Sequence, residues 1–188
     1  ANAVAYCLDH AGLSSGDLDV VCFYDKPFTK YERFLVTHAM VGPVGINSLG
    51  KGLVAFTRSK LWVSYRIEQL LKKLGHHQPF DMRFAEHHHS HAASAFFPSP
   101  FEEAAVLTFD GVGEWACSSV SLGVGNRIEP LWEQRFPDSI GMLYSAITSF
   151  CGFDVNDGEF KLMGLAPYGT PRFADILRDQ VVTVRDDG

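Results

Sequence analysis

The chain has 188 residues, of which 46% are hydrophobic and 20% charged, a composition typical of a globular domain rather than of a disordered segment. A formal net charge of −6 without any block of basic residues argues against a nucleic-acid-binding surface. Four widely separated cysteines without a Cys-x-x-Cys pair, no apolar run near the ~20 residues that span a bilayer, and no signal peptide predict a cytoplasmic protein that associates with no membrane.

The first half of the chain predicts mainly helices, with two short strands. Apolar periodicity and Gly or Pro signals place the helices at 2–12, 29–40, 55–74 and 88–97, the strands at 18–25 and 81–87, and a Gly-containing loop at 42–52. The strand at 18–25 is predicted to be buried because it is almost entirely apolar.

The second half predicts a strand at 103–110, a meander over 113–136 with a turn signal at 123–126, and then helices. The helices are predicted at 139–153, where Ser139 is a candidate cap, and at 172–181, with an interrupted segment at 156–169 between them. Strands that both alternate with helices and pair as hairpins indicate an α/β domain built on a mixed sheet. The opening helix and the closing β-branched run at 181–184 predict a fragment of a longer polypeptide.

Four of the eight histidines lie in the stretch HHHSH at 87–91. On a helix, His87 and His91 are nearly stacked, and two imidazoles at this spacing can share a divalent metal ion. His88 occupies the position that a Glu holds in the His-Glu-x-x-His motif, so the general base of a zinc protease is missing. Solvated or capping histidines remain the alternative interpretation.

Asp110 ends the strand "VLTFD" and precedes a glycine-rich turn. A carboxylate at a strand end is well placed to be a third metal ligand, although Asp is equally common as a turn-starting residue. Gly111 and Gly113 would free backbone N–H groups to face an anion such as phosphate, but such turns are also common in hairpins.

Two long segments and one short one carry a family resemblance: "EHHHSHAASAFFPSPFEEAAVLTFDGVGEWACSSV", "SIGMLYSAITSFCGFDVNDGEFKLMGLAPYG" and "VVCFYDKPFTKYERFL". They resemble the amino-terminal domain of O-carbamoyltransferases of the nodulation-protein U, cephem and nebramycin types. The resemblance implies a partial actin-like ATPase (ribonuclease H-like) domain, similar to the tRNA threonylcarbamoyl-transfer protein. Residues 1–188 would be a fragment of it, without the second actin-like half or the adenylate-forming domain.

The resemblance also implies a two-step reaction. Carbamoyl phosphate and ATP would give carbamoyladenylate, and the carbamoyl group would pass to a hydroxyl of a sugar, an antibiotic or a lipo-oligosaccharide. Fe²⁺ or another divalent metal is expected at the transfer site, held by His87, His91 and Asp110 with a further Asp from a later segment. Asp110, Gly111 and Gly113 would form the turn that contacts phosphate.

Lys161, in the segment "GEFKLMGLAPYG", would contact a phosphate or carbamoyl oxygen, or alternatively would be a surface lysine paired with Glu159. Glu114 is expected to be a half-exposed hairpin charge, with a contact to substrate as the alternative. We expect the 188-residue piece to transfer no carbamoyl group alone, and a homodimer is one assembly compatible with the sequence. The alternatives are a metal-binding or interaction module without catalysis, and another actin-fold ATP-dependent enzyme.

Overall fold

The computed structural model describes residues 2–58 and 60–183 of the chain. These residues belong to two compact units, Ala1–Gly141 and Met142–Gly188. The α-helices in the described residues are α1 (Asn2–Ala11), α2 (Pro27–Val41), α3 (Ile46–Arg58), α4 (Val63–Lys73), α5 (His87–Phe96), α6 (Ile140–Phe150), α7 (Glu159–Leu165) and α8 (Ala174–Gln180). The strands are β1 (Val20–Phe23), β2 (Asp81–Phe84), β3 (Glu103–Phe109), β4 (Ala116–Val124) and β5 (Arg127–Arg135).

Strands β1 and β2 form a two-stranded parallel sheet in which Val20 pairs with Asp81 and Phe23 with Phe84. The prediction that the first strand is buried was wrong, since Val20 is 47% exposed and no residue of β1 is fully buried. Because the two strands are parallel, both end at the same edge of the sheet. The segments that follow them, which lead into α2 and α5, therefore start side by side.

The helical region between the two strands differs from the sequence prediction. The predicted loop at 42–52 is a 3₁₀ turn (Gly42–Gly45) followed by α3, and the predicted long helix at 55–74 is interrupted by a second 3₁₀ turn, Lys60–Trp62. A Cβ atom at Gly52 would lie 2.2 Å from Cε2 of Phe34, so α2 and α3 meet closely at this glycine. Tertiary packing therefore favours glycine inside a helix here, against its low intrinsic helix propensity.

The stretch Pro27–Lys73 also contains a window with a mean hydropathy of 1.2 that is only 11% buried. By length and composition alone it passes the test for a membrane-spanning helix, as core helices and signal sequences also do. This differs from the expectation that no apolar run approaches spanning length. The prediction of no membrane association therefore stays a prediction.

Strands β3, β4 and β5 form an antiparallel meander with a turn at Gly125, where φ is +57°, as the turn signal predicts. Helix α5 packs on one face of this meander. The buried core there consists of Ala92, Phe96 and Val106. Gly123 lies under the Phe96 ring, where a Cβ would be 2.7 Å from the ring carbons, so the helix sits directly on the strand.

The opposite face of β3 is open: Leu107 is 61% and Phe109 is 69% exposed, while the alternate residues Val106 and Thr108 are buried. The predicted α/β class is confirmed. The predicted single mixed sheet is not formed by the described strands, which make one parallel and one antiparallel sheet.

The second unit contains the rest of α6, which starts in the first unit, together with α7 and α8. The predicted interruption at 156–169 is confirmed, since α7 passes directly into a 3₁₀ turn at Ala166–Tyr168. The β-branched run at 181–184 lies partly outside the described residues, and its residues 181–183 are not in a strand.

Candidate metal centre

The site is built at the start of α5 and the end of β3. The helix begins at His87, directly after the segment that leaves β2, and Ser90 N–H donates to the carbonyl of Glu86 in its first turn. Asp110 is the first residue after β3, and its N–H donates to the carbonyl of Cys117 on β4. Because α5 packs on the meander, the first turn of the helix faces the strand end that carries Asp110.

The three predicted ligands converge. Nε2 of His87 lies 2.7 Å from Oδ2 of Asp110 and 3.1 Å from Nε2 of His91, and the distance from His91 Nε2 to Asp110 Oδ2 is 3.8 Å. One ligand atom from each residue falls within 4.8 Å of the others. The predicted convergence of this pair with the strand-end carboxylate is confirmed.

These spacings fit a divalent metal ion. The observed spacings of 2.7, 3.1 and 3.8 Å are close to the ~2.8–3.6 Å that separates neighbouring ligand atoms ~2.0–2.2 Å from a metal in octahedral or tetrahedral sites. The side chain of His91 is 52% exposed and that of His87 is 15% exposed, so the cluster opens to solvent on the His91 side. Two imidazoles and one carboxylate with open positions are the donor set typical of non-haem Fe²⁺ sites.

The Asp110 carboxylate is held in one orientation. The N–H of Gly111 donates to Oδ1 at 2.6 Å, which leaves Oδ2 directed at the imidazoles. Burial raises the pKa of the Asp110 carboxyl, but the Gly111 hydrogen bond, the His87 hydrogen bond and the nearby imidazoles together outweigh burial and hold that pKa below its usual value. The carboxylate is therefore anionic, as a ligand must be.

The glycine turn after Asp110 is packed against the site. The N–H of Gly113 donates to the carbonyl of Ala116, and a Cβ at Gly113 would lie 3.1 Å from Cβ of His87. Since Gly111 N–H is paired with Asp110, the two N–H groups predicted to face phosphate are both engaged within the turn. Their role as phosphate donors stays a prediction.

Ser139 and Gly141, a residue that no sequence motif marks as functional, also support the turn. A Cβ at Gly141 would lie 2.6 Å from the carbonyl oxygen of Asp110, so the start of α6 rests on the ligand's backbone. The Ser139 hydroxyl donates to the carbonyl of Gly111 at 2.6 Å. A glycine at a helix start gives no sequence signal of such a contact.

Glu114 does not lie where the sequence predicts. It is 8% exposed rather than half-exposed, and its carboxylate accepts hydrogen bonds from the backbone N–H of Lys26 at 2.7 Å and of His87 at 3.0 Å. The available signal was its position four residues after Asp110 in a short glycine turn, which keeps it close to the strand end.

The segment after β1 lies against the first turn of α5. The Ser90 hydroxyl donates to the carbonyl of Tyr24 at 2.9 Å, and the ammonium of Lys26 lies 2.8 Å from the Glu86 carboxylate. The ring centroid of Tyr24 is 5.9 Å from that of His87. The "FYDKP" segment therefore forms one wall beside the cluster.

The other two histidines of the stretch 87–91, His88 and His89, do not lie beside the ligand atoms of His87, His91 and Asp110. His88 is buried against the meander, with Nδ1 2.9 Å from the Ser119 hydroxyl, and burial lowers its pKa. His89 is exposed on another side of the helix. His76, outside this cluster, is 2% exposed and bonds through Nδ1 to the carbonyl of Ser15.

Lys161 lies in the second unit, on α7. Its ammonium is 3.2 Å from Asp157, not paired with Glu159, whose carboxylate accepts from the Ser145 hydroxyl at 2.8 Å and from the Asn156 N–H at 3.1 Å. The side chain of Lys161 is 46% exposed. Its predicted role toward a phosphate or carbamoyl oxygen stays a prediction.

Comparison with known proteins assigns the whole chain to one family. The model of the carbamoyltransferase N-terminus matches residues 1–188. An uncharacterized protein of Synechocystis sp. is 47% identical over 188 residues, covering 98% of this chain and 31% of the relative. The nodulation protein NolNO of Sinorhizobium fredii is 33% identical over 191 residues, covering 99% of this chain and 26% of the relative. The nodulation protein NolO of Bradyrhizobium diazoefficiens is 39% identical over 85 residues, 45% of this chain and 15% of the relative.

The chain thus spans about a third or less of the length of these curated relatives. The match along the whole chain includes the segments that carry the histidine pair, the strand-end Asp110 and the glycine turn. This chain belongs to the carbamoyltransferase N-terminus family.

Proposed function

We propose that this chain forms the carbamoyl-transfer site of an O-carbamoyltransferase, and that His87, His91 and Asp110 hold a divalent metal there. The convergence of these three side chains, in a chain of this family, is the observation that carries the proposal. The proposed donor is carbamoyladenylate, made from carbamoyl phosphate and ATP, and the proposed acceptor is a hydroxyl of a sugar or another natural product.

The two imidazoles and the carboxylate suit Fe²⁺, our proposed metal, better than Mg²⁺ or Ca²⁺, which prefer oxygen ligands throughout. When bound, a divalent metal would polarise the carbamoyl carbonyl and stabilise the oxyanion that develops during transfer. His87 and His91 must offer unprotonated Nε2 atoms to the metal, so acid should compete with binding.

The residues around the ligands have separate tasks. Gly111 fixes one oxygen of Asp110 and thereby leaves the other free to bind. Tyr24, which is 56% exposed, lies beside His87 and would form a wall for the group presented to the metal. Lys161 is our proposed partner for a phosphate or carbamoyl oxygen, as a compact cation on a flexible stem.

We further propose that the fold is part of an actin-like domain that acts in the cytoplasm. The mixed composition of helices and small sheets is compatible with this. The adenylate-forming step would belong to a further domain of the complete protein, since this chain spans about a third or less of the length of its relatives.

The test is the double variant His87→Ala/His91→Ala in the complete protein, with His89→Ala as the matched control on the same helix. We expect the double variant to lose metal affinity by about 100-fold or more and to lose carbamoyl transfer, because a single carboxylate remains as ligand. The His89 variant should retain both properties. Metal content after equilibration with Fe²⁺ under anaerobic conditions, and product formation from carbamoyl phosphate, ATP and a hydroxyl acceptor, are the measurements.

A double variant that folds normally and still transfers carbamoyl groups would contradict the metal role. If neither the unaltered protein nor the variants transferred carbamoyl groups, the non-catalytic interaction module would be favoured instead.

A further inference from the structure

Glu114 connects the start of two helices at the candidate metal centre. Its Oε1 accepts the backbone N–H of Lys26, the residue before α2, and its Oε2 accepts the backbone N–H of His87, the first residue of α5. Both N–H groups belong to the set at a helix start that has no partner within the helix. A buried carboxylate here is favoured by the positive ends of two helix dipoles and by two charge-assisted hydrogen bonds.

The imidazole of His87 lacks the usual support of a metal-binding histidine. Such a ring normally uses its second nitrogen in a hydrogen bond that fixes its orientation. Nδ1 of His87 is buried and has no hydrogen-bond partner among the residues that the structure describes. The position of the ring is therefore set through its backbone and by packing, where Gly113 lies against Cβ and Cδ2 of His87.

The Glu114 carboxylate is the polar group that fixes that backbone. It reaches His87 across 27 residues of sequence and Lys26 across 88, so one side chain anchors the ligand's helix to the turn that carries Asp110 and to the segment after β1. The side chain of Lys26 lies 2.8 Å from Glu86, immediately before His87, which adds a second connection between the same two segments.

From these contacts we propose that Glu114 is a positioning residue of the metal centre. It holds the first residue of α5, and hence Nε2 of His87, at a fixed distance from Asp110 without touching the metal itself. This inference rests on the proposed metal site. It adds Glu114, which is not a ligand, as a residue that keeps the ligand His87 in position.

The experiment is a Co²⁺ titration of the complete protein and of its Glu114→Gln variant, followed by the visible absorption of bound Co²⁺. The amide keeps one acceptor oxygen but turns an N–H₂ group toward the other backbone N–H, so one of the two hydrogen bonds is lost. We expect Co²⁺ affinity to fall by about 10- to 100-fold, the range for supporting residues of metal ligands, with a changed absorption band.

Glu159→Gln is the matched control, since Glu159 also accepts a backbone N–H but lies on α7 in the second unit. It should leave Co²⁺ affinity and the absorption band unchanged. Glu114→Asp serves if the glutamine variant fails to fold: it keeps the charge but is too short to reach both N–H groups, and it should also weaken Co²⁺ binding.

The outcomes separate the two claims. If Glu114→Gln or Glu114→Asp lowers the melting temperature yet binds Co²⁺ with the original affinity and spectrum, Glu114 only caps helices and the positioning role is overturned. If the unaltered protein binds no Co²⁺, or binds it equally well after His87→Ala, the metal centre itself fails, and the inference falls with it.

Discussion

At the scale of single residues, the site depends on how each of two carboxylates divides its two oxygens between partners. Asp110 gives one oxygen to Gly111 and directs the other at the two imidazoles. Glu114 uses both of its oxygens on backbone N–H groups. The two carboxylates, four residues apart, therefore differ in role because of their surroundings, one as a proposed ligand and the other as its support.

Cys117 permits a test of the packing around this turn. It is fully buried on β4, whereas Cys7, Cys22 and Cys151 are exposed. Burial is the main cause that raises the pKa of the Cys117 thiol, so it remains protonated and unreactive at a pH where an exposed thiol begins to ionise.

We therefore expect three cysteines of the native chain to react rapidly with a disulfide reagent at pH 8. Cys117 should react slower by on the order of 100-fold, the factor given by a local opening that costs about 3 kcal/mol. Absorbance of the released thiolate measures both phases. A Cys117→Ala variant should lack the slow phase, and four equally fast cysteines would contradict the packing described.

At the scale of secondary-structure elements, the helix pair α2–α3 depends on a single close approach. Gly50 and Gly52 lie in the same helix, but a Cβ at Gly50 would meet nothing within 4 Å, whereas one at Gly52 would overlap the Phe34 ring. That ring is itself held between neighbours, with Phe56 at 5.1 Å and His38 at 4.3 Å between ring centroids.

The two glycines should therefore respond to alanine in opposite directions. Gly52→Ala should lower the free energy of unfolding by about 1–3 kcal/mol through overpacking. Gly50→Ala should raise it by about 0.5–1 kcal/mol because alanine favours the helix. Urea unfolding followed by circular dichroism compares the two variants. Equal effects would show that α3 does not contact Phe34 at Gly52.

The same elements show what could be predicted from the sequence. The histidine pair and the strand-end carboxylate follow from local spacing, which a helix and a strand translate directly into position. Helix α3 was missed because Gly50 and Gly52 weaken its sequence signal, and the contact with Phe34 that compensates is not local. Glu114 was missed for a related reason, since its partners lie 27 and 88 residues away.

At the scale of the whole molecule, the chain covers 31% and 26% of the length of two relatives that match almost all of it. The reaction steps that we propose, transfer included, therefore concern the complete protein. Our expectation that residues 1–188 alone transfer no carbamoyl group follows from the same division and stays a prediction.

The parallel pairing of β1 with β2 has a consequence for the order in which the chain folds. The meander is closed by short turns, whereas the β1–β2 pair joins Val20 to Asp81 across three helices. Pairing distant segments costs loop entropy before any contact repays it, so the parallel ladder should be the late step of refolding. The N–H of Ala85 donates to the carbonyl of Phe23 and so reports the parallel pairing. Pulse-labelling hydrogen exchange should find the amide of Val120 protected before that of Ala85, and simultaneous protection would contradict this order. Asp110 should therefore be in place early in folding. The backbone N–H of Lys26 should reach the Glu114 carboxylate last, after that carboxylate has already accepted the N–H of His87.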